Sequence, residues 1–62
     1  MRNSKEKNKE LYSNLNRLGI SIYVWYNWCK MRTSIPSYII ENEKDFLIKF
    51  LPKETLKYYN LN

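Results

Sequence analysis

Leu18-Gly19-Ile20-Ser21 lies between two helix-compatible stretches, and its reading decides the fold. Upstream, Leu11, Leu15 and Leu18 recur at i, i+4 and i+7, which puts them on one stripe of a helix beginning near Ser4 or Lys5. Gly19 is the only glycine in the chain. A residue just past a helix end often turns left-handed, a conformation glycine enters without a side-chain clash, so the helix is expected to stop there. Ile20 is then free to fold back onto the first helix. The Ser21 hydroxyl is placed to accept a backbone N–H of the following turn and so to start a second helix.

The stretch from Ser21 to Arg32 needs arbitration, because Ile, Tyr, Val and Trp all favour strands. As a helix it sets Ile22, Trp25, Trp28, Cys29 and Arg32 on one side and Tyr23, Tyr26, Asn27 and Lys30 on the other. As a strand, Ile20, Ile22, Val24, Tyr26 and Trp28 alternate against Ser21, Tyr23, Trp25 and Asn27, and neither face is clearly polar. The glycine stop and serine start favour the helix over raw propensity.

Beyond Arg32 the pattern changes. Thr33, Ser34 and Pro36 break the helix, since the residue before a proline avoids the helical region. Tyr38-Ile39-Ile40 and Phe46-Leu47-Ile48-Lys49-Phe50 are short β-prone runs separated by the polar Glu41-Asn42-Glu43-Lys44-Asp45, which reads as a hairpin with a charged tip. Leu51-Pro52-Lys53-Glu54 opens a last helix, with Leu56 and Tyr59 on its buried side. The expected fold class is small α+β, in the order helix, turn, helix, β-hairpin, helix. The expected organisation is a basic, partly disordered lead-in over 1–10, read as a frayed helix start or a phosphate-seeking arm, followed by one domain over 11–62.

Sixty-two residues allow one domain at most, and a chain this short buries only about 60% of its unfolded surface. Trp25, Trp28, Phe46, Phe50 and several tyrosines are the expected core fillers. Eleven Lys and Arg against six Asp and Glu give a net charge of +5, which favours a polyanionic partner. A lone cysteine and the lack of histidine argue against a disulfide, a zinc site and His-based catalysis, and Cys29 reads as a small buried hydrophobe suited to a reducing, cytoplasmic setting. No stretch has the roughly 20 apolar residues a membrane span needs, and the polar N-terminus does not resemble a secretory signal.

The predicted order, Leu-Gly-Ile-Ser at 18–21, Trp28 seven residues on, Ile35-Pro36 before the hairpin and the exit from Phe50-Leu51-Pro52 to Leu56 together resemble the small winged helix-turn-helix of the MerR superfamily, closest to phage and transposon excisionases. The resemblance spans roughly 11–60. It implies that the second helix enters the major groove of double-stranded DNA, that the hairpin acts as a wing, and that copies associate along DNA beside a recombinase (integrase) or RNA polymerase. Under it, Ser21, Ile22, Tyr23, Tyr26, Asn27 and Lys30 face the groove, with Asn27 suited to adenine and the tyrosines to phosphates or thymine methyls. Arg17, Lys30 and Arg32 act as phosphate clamps, and Lys44 is the one cation at the wing tip, among Glu41, Glu43 and Asp45. The implied role is architectural control of recombination, or transcription regulation, in a mobile element. A composition rich in Asn, Lys, Ile and Tyr fits a phage or mobile element of AT-rich coding sequence.

Two other classes compete. A protein-protein inhibitor or adaptor would dock through Tyr23, Tyr26 and Arg32, residue types that anchor interfaces. A cationic, Trp-rich membrane-active peptide fits less well, given Glu41, Glu43, Asp45 and the proline-punctuated second half. Neither paired carboxylates on a recognisable scaffold nor a glycine-rich phosphate loop is present, so the expectation is a non-enzyme without cofactor, metal or small-molecule ligand.

Overall fold

Fifteen residues from Ser4 to Leu18 form α1 in the computed structural model, which describes residues 4–62. The helix reaches back through Ser4–Glu10, so this part of the expected lead-in is helical; residues 1–3 lie outside the described residues. Gly19 ends α1 at φ +70°, and Ile20 donates its N–H to Leu15 O at 2.9 Å while its side chain packs against the core. Ser21 then caps α2, Ile22–Cys29, its Oγ accepting from Val24 N at 3.2 Å. Both halves of the expected turn are therefore present, and α2 is helical despite its strand-prone composition.

The second half departs from the expectation. Where a hairpin was expected, the chain forms two short helices, α3 (Ser37–Asn42) and α4 (Lys44–Phe50), and among the described residues there is no strand. The α+β class and the wing are thus overturned, and the fold is all-helical. The pattern of burial explains why. Ile35, Ile39, Phe46, Leu47 and Leu51 are buried while Ile48 is exposed, a spacing of adjacent and four-apart residues that marks a helical stripe. A half-buried strand would instead have put the neighbours Phe46 and Leu47 on opposite faces. Glu41, Glu43 and Lys44, read as a turn, are good helix formers. The backbone runs on through the bend at Glu43: Glu43 N donates to Ile39 O at 2.8 Å and Leu47 N donates to Glu43 O at 3.0 Å. Prolines open two of the three later helices. Pro36 precedes α3, and Pro52 precedes α5, Lys53–Tyr58, where a missing N–H costs nothing.

The core joins all five helices. Leu15 from α1, Trp25 and Trp28 from α2, Ile39 from α3, Phe46 and Leu47 from α4 and Leu56 from α5 are buried together with Ile35, Leu51 and Leu61 of the connections. Aromatic packing dominates its centre, with Trp25 against Phe46 at 5.2 Å and Trp28 at 6.2 Å between ring centroids. Such pairs add about 0.5–1.5 kcal/mol beyond the area they bury. Phe50 is only half-buried, and of the tyrosines only Tyr59 enters the packing; Tyr12, Tyr23, Tyr26, Tyr38 and Tyr58 stay exposed. This corrects the expectation that tyrosines fill the core.

Two ion pairs hold α1 to the later helices, Arg17–Glu43 at 3.0 Å and Glu10–Lys49 at 2.7 Å. Exposed as they are, each contributes under about 1 kcal/mol. The buried Thr55 donates its hydroxyl to Cys29 O at 3.1 Å, and Tyr59 Oη accepts from Ile35 N at 3.0 Å. Through these bonds α5 fixes the end of α2 and the chain that leaves it.

Candidate nucleic-acid interface

The eight residues of α2, Ile-Tyr-Val-Trp-Tyr-Asn-Trp-Cys, divide cleanly once Trp25 and Trp28 turn inward. Three residues apart, these two indoles lie on one side and carry the helix against the core. The side chains set around the rest of the helix face solvent: Tyr23 is 79% exposed, Tyr26 47% and Ile22 48%. Asn27 lies half-buried at the edge of this surface. Cys29 is half-buried as well, and burial pushes its thiol pKa above the ordinary value, against a smaller downward pull from Lys30.

Cations gather where α2 ends. Lys30 Nζ lies 5.5 Å and Arg32 Cζ 5.6 Å from the centre of the Tyr26 ring, both within cation–π range. Neither forms an ion pair among the described residues. No Asp or Glu occurs in the chain between Leu11 and Ile40. The first turn of α2 carries no acid either, so the positive end of its dipole is left uncompensated.

The remaining expected contacts fare differently. Ser21 spends its hydroxyl oxygen on Val24 N, so its primary role is to cap. Arg17 donates from one guanidinium nitrogen to both Asn14 Oδ1 and Glu43 Oε1, each at 3.0 Å, which engages it as a strut between α1 and the α3–α4 bend. Lys44 begins α4 between Glu43 and Asp45 and has no wing to present it. The structure thus brings Tyr23, Tyr26, Asn27, Lys30 and Arg32 onto or beside one helix, and leaves Arg17 and Lys44 on other elements.

Two features escaped the sequence reading. Val24, 40% exposed, joins Ile22 and Tyr23 in an apolar first turn of α2. Met31, directly after the helix, is held at φ +57°. The apolar first turn was legible in principle once two tryptophans were assigned inward; the methionine had no sequence signal.

Among the described residues, no helix is long and apolar enough to cross a membrane, and no group of His, Cys, Asp and Glu is placed to hold a metal ion. Comparison with protein-family models, curated proteins and solved structures finds no match to this chain.

Proposed function

We propose that the chain is a small DNA-binding protein that presents the outer face of α2 to duplex DNA, without a wing. The observation that carries this reading is the Tyr23, Tyr26, Asn27, Lys30 and Arg32 surface, set in a region from Leu11 to Ile40 that holds no carboxylate. Phosphates meet two cations there, neither of them in an ion pair among the described residues. Tyrosine and asparagine supply donors for backbone and base edges. The turn that precedes α2, with a left-handed glycine and a capping serine, is the part of the MerR-like resemblance that supports the reading. The hairpin that defined the wing is replaced by α3 and α4 and lends it nothing. In function the protein is architectural or regulatory, controlling recombination or transcription of a mobile element, rather than an enzyme.

Fluorescence anisotropy with a labelled duplex across a salt series tests the proposal. With one or two phosphates neutralised by Lys30 and Arg32, log K against log salt should fall with a slope of about −0.9 to −1.8. Asn27→Ala should narrow the gap between preferred and random sequence, whereas Lys30→Gln should weaken both alike. No binding to any duplex at low salt overturns it.

The exposed Ile22 and Val24 favour a second reading, in which the same helix docks on a protein such as a recombinase or RNA polymerase. Capture of such a partner from nuclease-treated extract, abolished by Tyr23→Ala and without duplex affinity, selects it over the first.

A further inference from the structure

Three helices of this chain end in the same way, and one of the three ends breaks the pattern. At the close of α1, Gly19 N donates to Asn16 O at 3.1 Å and Ile20 N to Leu15 O at 2.9 Å. At the close of α5, Asn60 N donates to Lys57 O at 3.1 Å and Leu61 N to Leu56 O at 2.8 Å. At the close of α2, Met31 N donates to Trp28 O at 3.0 Å and Arg32 N to Asn27 O at 2.9 Å. Each is a Schellman cap with its left-handed residue at φ +70°, +59° and +57° respectively. The first two follow the usual chemistry: glycine or asparagine takes the left-handed position, and the apolar residue after it folds against the core. The third places an unbranched but bulky methionine in the left-handed position and an exposed arginine after it.

Cations at a helix end ordinarily complement its unpaired carbonyls. At α2 those carbonyls are already taken. Tyr26 O accepts from Lys30 N, Asn27 O from Arg32 N, Trp28 O from Met31 N and Cys29 O from the Thr55 hydroxyl. Lys30 and Arg32 instead each lie against one ring, Tyr26, at 5.5 and 5.6 Å from its centre, and neither has a carboxylate within ion-pair distance among the described residues. Two like charges held beside the same ring repel unless an anion joins them.

We infer that Lys30 and Arg32 form a seat for a single phosphodiester, and that Met31 is a positioning residue whose left-handed backbone turns Arg32 back over Tyr26. Arginine offers the phosphate a planar fork of donors, and lysine a compact charge beside it. This rests on the reading of the chain as a DNA-binding protein and sharpens it: the two cations serve one phosphate.

Counterion release gives the test, because the salt slope counts phosphates and not cations. Duplex binding is measured over a salt series for the wild type, Lys30→Gln, Arg32→Gln and the double variant. A shared seat predicts that each single variant keeps close to the wild-type slope, because the remaining cation still neutralises the phosphate, and that the double variant loses about 0.9. A loss of about 1.8 in the double variant places the cations on separate phosphates, and no loss in any variant removes them from the contact; either overturns the seat while duplex binding stands. For Met31, glycine keeps the left-handed cap and should retain the wild-type slope with a higher melting temperature. Valine, stiff at its branched carbon, disfavours the cap, so Met31→Val combined with Lys30→Gln should lose the same roughly 0.9 as the double variant. A wild-type slope in Met31→Val combined with Lys30→Gln denies the positioning role. Should the wild type bind no duplex, the failure lies with the DNA reading itself, and the seat falls with it.

Discussion

Replacing Gly19 by alanine should destabilise the fold by backbone strain alone. An ideal Cβ built at this position meets nothing within 4 Å, so no steric clash with a neighbour enters the cost. What remains is the left-handed conformation at φ +70°, which costs an L-residue roughly 1–2 kcal/mol. Part of that is offset, because alanine restricts the unfolded chain and returns about 0.4–1 kcal/mol. The net loss is about 1 kcal/mol, or roughly 4–8 °C in melting temperature for a domain of this size. Asparagine provides the control. Asn60 occupies the equivalent position at the end of α5 with φ +59°, so Gly19→Asn should lose less than half of what alanine loses. Thermal melts followed by far-UV circular dichroism, for both variants and Gly19→Val, give the ranking: asparagine mildest, alanine next, valine worst. Equal melting temperatures for the alanine and asparagine variants, or no loss in either, would refute a left-handed turn at Gly19, and with it the geometry that launches α2.

Three further outcomes follow from the same structure. Thr55→Val keeps the shape of a fully buried side chain but strips Cys29 O of its donor, and should cost about 1–3 kcal/mol in urea denaturation while Thr55→Ser retains the bond. Glu43→Ala removes a partly exposed ion pair to Arg17, which stands apart from the α2 face, so stability should change by less than about 1 kcal/mol and the salt slope of duplex binding should keep its wild-type value. Burial raises the Cys29 pKa in the folded state, so the thiol is neutral in both states at low pH and the unfolded chain ionises first as pH rises. The stability of the wild type relative to Cys29→Ala should therefore be constant below pH 9.0 and decline as pH climbs through the higher folded value, and iodoacetamide should label the native protein more slowly than the urea-unfolded one.

The first half of the fold was legible because its signals are local. A leucine stripe, one glycine and one serine each act on backbone within four residues, and they overrode the strand propensity of Ile22-Tyr23-Val24-Trp25. From Tyr38 to Phe50 the sequence offers no such punctuation, and runs such as Tyr38-Ile39-Ile40 satisfy a strand by composition. Only the burial of Phe46 beside Leu47, with Ile48 outside, separates the alternatives, and that depends on where Trp25 comes to rest against Phe46. Packing decided what propensity left open.

The candidate site divides along the same line. Residues whose placement follows from helical periodicity, Tyr23, Tyr26 and Lys30, stand together as the sequence implied. Arg17 and Lys44 did not follow, because their surroundings come from the α3–α4 bend, which the hairpin reading had replaced; Glu43 lies 26 positions from Arg17 in the chain. Met31 was hidden for another reason. Left-handed caps are sought at glycine and asparagine, and a methionine flanked by Lys30 and Arg32 looks like ordinary surface. Its conformation becomes informative only beside Gly19 and Asn60, where the chain meets the same geometric demand with a residue suited to it. A domain of 62 residues has little stability to lose, and glycine at 31 would relieve the strain. That the strained residue stands immediately before the arginine turned over Tyr26 ties the exception to the cationic end of α2 rather than to the core, which Met31, 43% exposed, does not enter.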